Sequence, residues 1–129
     1  MLEIKPIEDK SAQKSLCSLC GAEYMEDYFA YGATVDGAPV GICQFYIKGN
    51  YGYIFDLCQV KGVNDPEALF IMARGVLNFL DLAGAHEAYF EGEDTPLVRA
   101  VGFSERDGRL YMNLTGFFSS PCKSGKNKL

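Results

Sequence analysis

Asp56 is the residue whose type and setting most invite chemistry. It stands in the apolar run 53–60, between Phe55 and Leu57. Burial there disfavours the charged form and raises a carboxyl pKa, which suits a general base working near neutral pH. A carboxylate in such a run also has a purely structural use, accepting a backbone N–H where a sheet is irregular. The residues alone leave both readings open.

Cys17-Ser18-Leu19-Cys20 has the spacing of a metal or redox pair. A structural zinc needs four ligands, and no second C-x-x-C or H-x-x-x-H accompanies it. Cys122 and the single histidine, His86, sit in separate segments. A redox dithiol precedes its helix, whereas this pair ends one. No metal is expected, and Cys17, Cys20, Cys43 and Cys58 read as small apolar residues. His86 lacks a Ser or Cys partner and reads as a surface residue.

The elements that must position these residues follow from periodicity and punctuation. Residues 2–7 alternate and meet Pro6, which predicts a first strand. From about Asp9 to Gly21 the pattern is helical, with Ala12, Leu16, Leu19 and Cys20 on the expected buried stripe. Two hairpins come next: residues 28–35 and 40–47 around Asp36-Gly37, then 53–60 after Gly49-Asn50. A symmetric second hairpin sets Cys43 opposite Asp56 and Gly41 opposite Cys58. Cys43, Phe45, Ile47, Ile54 and Cys58 then share one face, with Val40, Ile42, Tyr46, Tyr53, Phe55 and Leu57 on the other. Neither face is polar, so helices must cover both.

Asp65 as N-cap and Pro66 at the first position start a long helix over 66–83, apolar nearly all round. Gly75 on its apolar side is expected to allow close approach to the sheet. Residues 86–91 read as a strand, 95–101 as a short helix stopped by Gly102, and 103–118 as a strand pair turning at Asp107-Gly108.

The chain has 129 residues, 48% hydrophobic and 22% charged, which suits one globular domain over 1–129. Residues 119–129 read as a polar, frayed tail. No signal sequence or membrane span is recognisable, and an odd count of five cysteines does not suggest a disulfide framework. A cytoplasmic location without membrane attachment is therefore expected. A net charge of -5 opposes nucleic acid as partner; it suits a cationic substrate such as an amine and serves solubility equally well. The oligomeric state is open; a homodimer paired through the aromatic-rich strands is compatible with the sequence.

The order of strand, helix, three antiparallel strands, long helix, strand, short helix and closing strands resembles the GNAT superfamily of acyl-CoA-dependent N-acyltransferases. Three stretches carry the resemblance: Asp56-Leu57-Cys58-Gln59-Val60 running into the long helix, Leu97-Val98-Arg99-Ala100-Val101-Gly102-Phe103, and Tyr111-Met112-Asn113-Leu114. The resemblance spans almost the whole chain. It implies an α/β (α+β) fold with a mixed, mostly antiparallel central sheet and helices on both faces. It also implies acetyl-CoA as acyl donor and a small-molecule or protein amine as acceptor. Leu57, Val60, Lys61, Gly62 and Asn64 would then line the cofactor, and Asp56 would deprotonate the amine. The family's usual general-acid tyrosine falls on Val98, so Tyr111 is the implied substitute.

The resemblance breaks at the pyrophosphate loop. Family members read Gln/Arg-x-x-Gly-x-Gly/Ala, whereas this chain reads Lys61-Gly62-Val63-Asn64-Asp65-Pro66-Glu67-Ala68. Pro66 removes an N–H donor, and Asp65 and Glu67 set carboxylates where phosphate charge would lie. A GNAT-fold binding or interaction module that takes no CoA is thus the alternative reading.

Overall fold

The computed structural model describes residues 1–118. The expected tail, with Cys122, lies outside the described residues. Strand β1 (Leu2–Pro6) leads into α1 (Lys10–Cys20), where Asp9 caps by accepting the Ser11 N–H and Gly21 closes in the left-handed region. β2 (Phe29–Val35) and β3 (Ala38–Lys48) follow, then β4 (Tyr51–Ile54) and the short β5 (Cys58–Gln59). α2 (Pro66–Leu82) is capped by Asp65, and β6 (Glu87–Phe90) comes after it. α3 (Pro96–Val101), β7 (Ser104–Arg106) and β8 (Arg109–Asn113) complete the described chain. Asp36 and Asp107 both adopt positive φ ahead of a glycine, the backbone that tight two-residue hairpin turns require.

The sheet runs β1-β2-β3-β4-β6-β8-β7, with β5 paired to β3. All pairings are antiparallel except β4 with β6. The main core lies between the sheet and α2, built on Phe45, Ile54, Met72, Val76, Leu77 and Leu80. A smaller cluster of Cys17, Ala30 and Ile42 lies under α1 on the other face. No helix among the described residues is long and apolar enough to cross a membrane.

Three expectations change at this scale. The second hairpin is not symmetric. Between the pairs Phe45↔Ile54 and Ile42↔Cys58, three steps of β3 face four of its partner. The Gln44 carbonyl accepts both the Phe55 and Asp56 N–H groups, at 2.8 and 3.4 Å, as a β-bulge requires. Gly41 therefore meets Gln59 rather than Cys58. Cys58 joins the α1 side and Leu57 the α2 core, the reverse of the expected faces. A second irregularity, between Ala33 and Thr34, likewise turns Val40 to the α2 core.

The buried stripe of α1 is rotated as well. Gln13 and Cys17 are fully buried, while Ala12 is exposed and Leu19 is 47% exposed. Hydrogen bonds draw the polar Gln13 inward, as described below. Gly75, finally, is not the close-approach glycine, since a Cβ there would meet Ile4 at an ordinary 3.6 Å. The tight contacts with α2 are at Gly52, where a Cβ would sit 2.6 Å from Leu80 Cδ1, and Gly41, 2.9 Å from Leu69 Cδ2.

Candidate active site

Parallel strands β4 and β6 hold together through Ile54↔Phe90 and one further bond, Glu91 N–H to the Ile54 carbonyl at 2.8 Å. Beyond it they part. The bulge carries residues 55–57 toward β3, while β6 runs out through Gly92. The opening is a cleft of about 220 Å³, with Asp56, Leu57 and Cys58 on one wall and Phe90, Gly92 and Glu93 on the other. Thr95, Leu97 and Val98 of the α3 segment close it. Gly92 is needed at this apex, because a Cβ would sit 2.9 Å from the Phe90 ring.

Backbone polarity on the bulged wall follows from register. Val60 N–H bonds to the Val40 carbonyl at 2.7 Å, and Ile42 pairs with Cys58. Backbone groups alternate along an antiparallel strand, so the Leu57 and Gln59 amides face away from β3, and Leu57 is on the cleft wall. The cleft thus contains a short sheet edge able to hydrogen-bond an extended, amide-bearing chain.

Asp56 sits at the bulge and is 9% exposed. Its Oδ1 accepts the Gln44 backbone N–H at 2.7 Å and its Oδ2 the Gln44 Nε2–H at 2.6 Å. Burial pushes its pKa up to about 6 against the opposing pull of those Gln44 hydrogen bonds. Gln44 extends the network: its Nε2 donates to the Glu23 carbonyl, and its Oε1 accepts from Gln13 Nε2 and the Met25 N–H, at 2.9 and 3.0 Å. One chain of bonds therefore ties α1, the loop after it, β3 and the bulge to one carboxylate. The structural use foreseen for Asp56 is present, since its carboxylate accepts a backbone N–H where the sheet is irregular.

A second cavity, about 390 Å³, lies beyond the end of β6 and is lined by Glu91, Asp94, Glu105, Gly108, Arg109 and Leu110 together with Phe90 and Gly92. Phe90 and Gly92 line both spaces. The smaller cleft and the polar cavity therefore lie on either side of one strand end. Glu91 accepts the Tyr46 hydroxyl at 2.8 Å, and burial followed by that bond raises the Tyr46 pKa well above its ordinary value. Tyr46 belongs to a row of rings, Tyr28, Tyr46, Tyr53, Tyr89 and Tyr111, with neighbouring centroids 4.5–5.5 Å apart. Another, apolar cavity of about 420 Å³ beside Phe29, Phe45 and Phe79 shares no lining residue with either space.

The residues singled out in the sequence are only partly brought together. Asp56 and Leu57 line the cleft. Tyr111 lines neither space; its hydroxyl donates to Glu87 at 2.7 Å, the main reason its pKa rises. Val60, Lys61, Gly62 and Asn64 form the turn into α2. Lys61 donates its N–H to the Leu19 carbonyl and lays its side chain along Gly21, at the carboxyl end of α1. Asp65 Oδ1 accepts the Ala68 N–H at 3.1 Å, and Gln59 Oε1 takes the Asp65 N–H at 3.1 Å. Two donors near the start of α2 are thus committed within the chain, and Pro66 supplies none. Burial lifts Cys17 to about 11 and Cys20 to about 12, so both are thiols at neutral pH. Among the described residues no group of three or more His, Cys, Asp or Glu is placed to hold a metal.

Sequence reading missed Glu91, Tyr46, Arg109 and the Gln13–Gln44 pair. Glu91 and Arg109 were legible only as strand-end polar residues. Gln44, inside an apolar run, was the one available signal of a buried polar network.

Comparison with known proteins gives the fold a family likeness. No protein-family model matches the sequence, and no curated protein matches it either. Solved structures do. The ribosomal-protein-S18-alanine N-acetyltransferase from Escherichia coli is similar with a TM-score of 0.69 and 14% identity, over 88% of this chain and 94% of that one. The IAA acetyltransferase from Bacillus cereus aligns with a TM-score of 0.70 and 16% identity, over 88% and 100%. A GNAT family acetyltransferase from Brucella melitensis, solved in complex with acetyl-CoA, aligns with a TM-score of 0.67 and 14% identity, over 88% of each chain. Strand order and the helices on both faces are those of the GNAT fold.

Proposed function

We propose that this chain, which has the GNAT fold, is an acyl-CoA-dependent N-acyltransferase whose acceptor is an amine. The observation that carries this reading is the strand end at Phe90 and Gly92, which lines both a largely apolar cleft and a polar, carboxylate-bearing cavity. A pantetheine arm is extended, apolar and interrupted by amides, so it suits the Leu57–Gln59 edge and the walls of Phe90, Leu97 and Val98. Acyl-CoA supplies a thioester, and in the transfer a C–N bond forms as the C–S bond breaks.

The chain's own residues do the rest. The cleft aligns the thioester with the β6 end, and near-contact geometry of this kind contributes to rate by orientation alone. Glu91 and Glu105 attract the ammonium form of the acceptor from solvent. Asp56, with its pKa near 6, is largely ionised at neutral pH and takes the proton the amine gives up. The ammonium first gives one proton to solvent; the second, taken by Asp56 as the C–N bond forms, returns to the departing thiolate, so an ammonium and a thioester become an amide, a thiol and one released proton. Val98 offers no acid, and Tyr111 is held by Glu87, which leaves Asp56 as the proton carrier of this scheme.

The start of α2 favours a second reading, a GNAT-fold module that takes no CoA. There Asp65 fills the position a phosphate would use, and Glu67 adds a second carboxylate. Calorimetric titration with acetyl-CoA separates the two. The enzyme reading expects micromolar affinity, roughly -8 kcal/mol, and release of CoA when amines are added. Absence of heat and of any thermal shift at millimolar acetyl-CoA would remove it.

A further inference from the structure

We infer that the acceptor is a small zwitterion, an amine carrying a carboxylate close by, of which a free α-amino acid is the simplest case. The inference rests on the acyltransferase reading and comes from two charges that decline to pair. Along β6 and β8 the register runs Tyr89↔Tyr111 and Phe90↔Leu110 and ends there, so Glu91 and Arg109 are the residues that flank its last pair. Opposite charges on neighbouring strands ordinarily close an ion pair. Here they do not. Arg109 lays its guanidinium 4.0 Å from the Tyr89 ring centroid and 5.8 Å from that of Tyr53. Glu91 instead takes the Tyr46 hydroxyl at 2.8 Å.

Both groups line the cavity at the end of β6. Each is held by an aromatic side chain, and among the described residues Arg109 has no ion pair. Asp94, on the same cavity, is already neutralised by Arg99 through bonds of 2.8 and 2.7 Å. That leaves Glu91 and Glu105 to receive an ammonium and Arg109 to receive an anion. A guanidinium stacked flat on a ring keeps its N–H edge free, in the planar fork that matches a carboxylate. A polyamine would bring positive charge against Arg109, and a simple alkylamine would leave it unused. A zwitterion with its charges on adjacent carbons or on one carbon satisfies both sides.

The test uses the full chain with acetyl-CoA and three matched panels: L-α-amino acids, their methyl esters and the corresponding decarboxylated amines. CoA release should favour the free acids by roughly tenfold or more in kcat/KM, since only they engage Arg109. Arg109→Met should raise KM for the preferred amino acid by about tenfold, leave kcat within about twofold and erase the preference over the esters. Arg109→Lys should restore part of it. Esters or decarboxylated amines turned over as well as the acids, or an unchanged KM in Arg109→Met, would overturn the inference. A second readout needs no catalysis. Titrating the amino acid panel into the protein should shift the NMR signals of the Tyr89 ring and Arg109 Nε, and Arg109→Met should abolish the Tyr89 shift. Were acetyl-CoA not to bind, the acyltransferase reading alone would fall; absence of any shift with all the amino acids would sink the zwitterion site by itself.

Discussion

A single carboxylate carries most of the pH dependence expected of this protein. Asp56 has its pKa raised on folding from 3.8 to about 6, so the folded chain holds that proton more tightly than the unfolded one. The resulting contribution to stability is complete below pH 3.8 and is lost as pH climbs through about 6. Two units correspond to about 3 kcal/mol. Urea melts of the native protein should therefore show stability falling between those pH values, relative to Asp56→Asn, whose profile should be flat there. Activity runs the other way, since the base must be ionised: kcat/KM should rise through pH 6, and Asp56→Asn should lose the limb together with roughly two orders of magnitude in rate. Gln44→Leu should be more damaging to the fold than Asp56→Asn, by about 2–4 kcal/mol, because it takes one donor from a buried carboxylate and removes the side-chain partner of the Met25 N–H and the Glu23 carbonyl. Chemical melts at pH 7 check the order. Asp56 was legible in the sequence because a carboxylate in an apolar run is conspicuous. Its partner was less so: glutamine in an apolar run hints at burial but not at the direction of its bonds.

At the scale of elements, starts and stops were readable and faces were not. Asp9, Asp65, Pro66, Pro96, Gly21 and Gly102 mark helix ends by local chemistry that tertiary contacts seldom override. The faces of β3, β4 and β5 depend on bulges, and one inserted residue reverses every side chain beyond it. No local signal in residues 53–60 marks that insertion; it is held by Asp56 reaching back to Gln44, a contact between strands. The same limit explains the glycines. Gly75 looked like the packing glycine from its place on the apolar side of α2, yet the pressure falls on Gly52, under Leu80. The pair gives a clean contrast. Gly52→Ala should destabilise by about 1–3 kcal/mol through overpacking, while Gly75→Ala should stabilise by up to about 1 kcal/mol through helix propensity. Thermal denaturation of the two variants measures both signs, and equal losses would show that α2 presses on the sheet differently.

The whole molecule poses a conflict between shape and charge. Its backbone has the GNAT fold, while its net charge of -5 and its acidic α2 start oppose an anionic cofactor. The order of elements was legible because it follows from turns and periodicity. The electrostatic quality of the cofactor site was legible too, in Asp65-Pro66-Glu67, because a helix start is written in consecutive residues. The cap was legible as well: Asp65 was expected to cap α2, and its carboxylate accepts the Ala68 N–H. This makes the charge separable from the cap. Asparagine caps about as well as aspartate, so Asp65→Asn should leave the melting temperature nearly unchanged. It removes one negative charge a few Å from the proposed pyrophosphate position, worth about 1 kcal/mol at ~4 Å in the dielectric of water. CoA should then bind several-fold more tightly, whereas phosphate-free pantetheine should bind both proteins alike. Salt offers the same contrast without mutation: screening should strengthen CoA binding to the native chain, the reverse of its usual effect on an anion held by cations. Pantetheine and CoA responding equally to Asp65→Asn would mean that the phosphates lie elsewhere than at the start of α2.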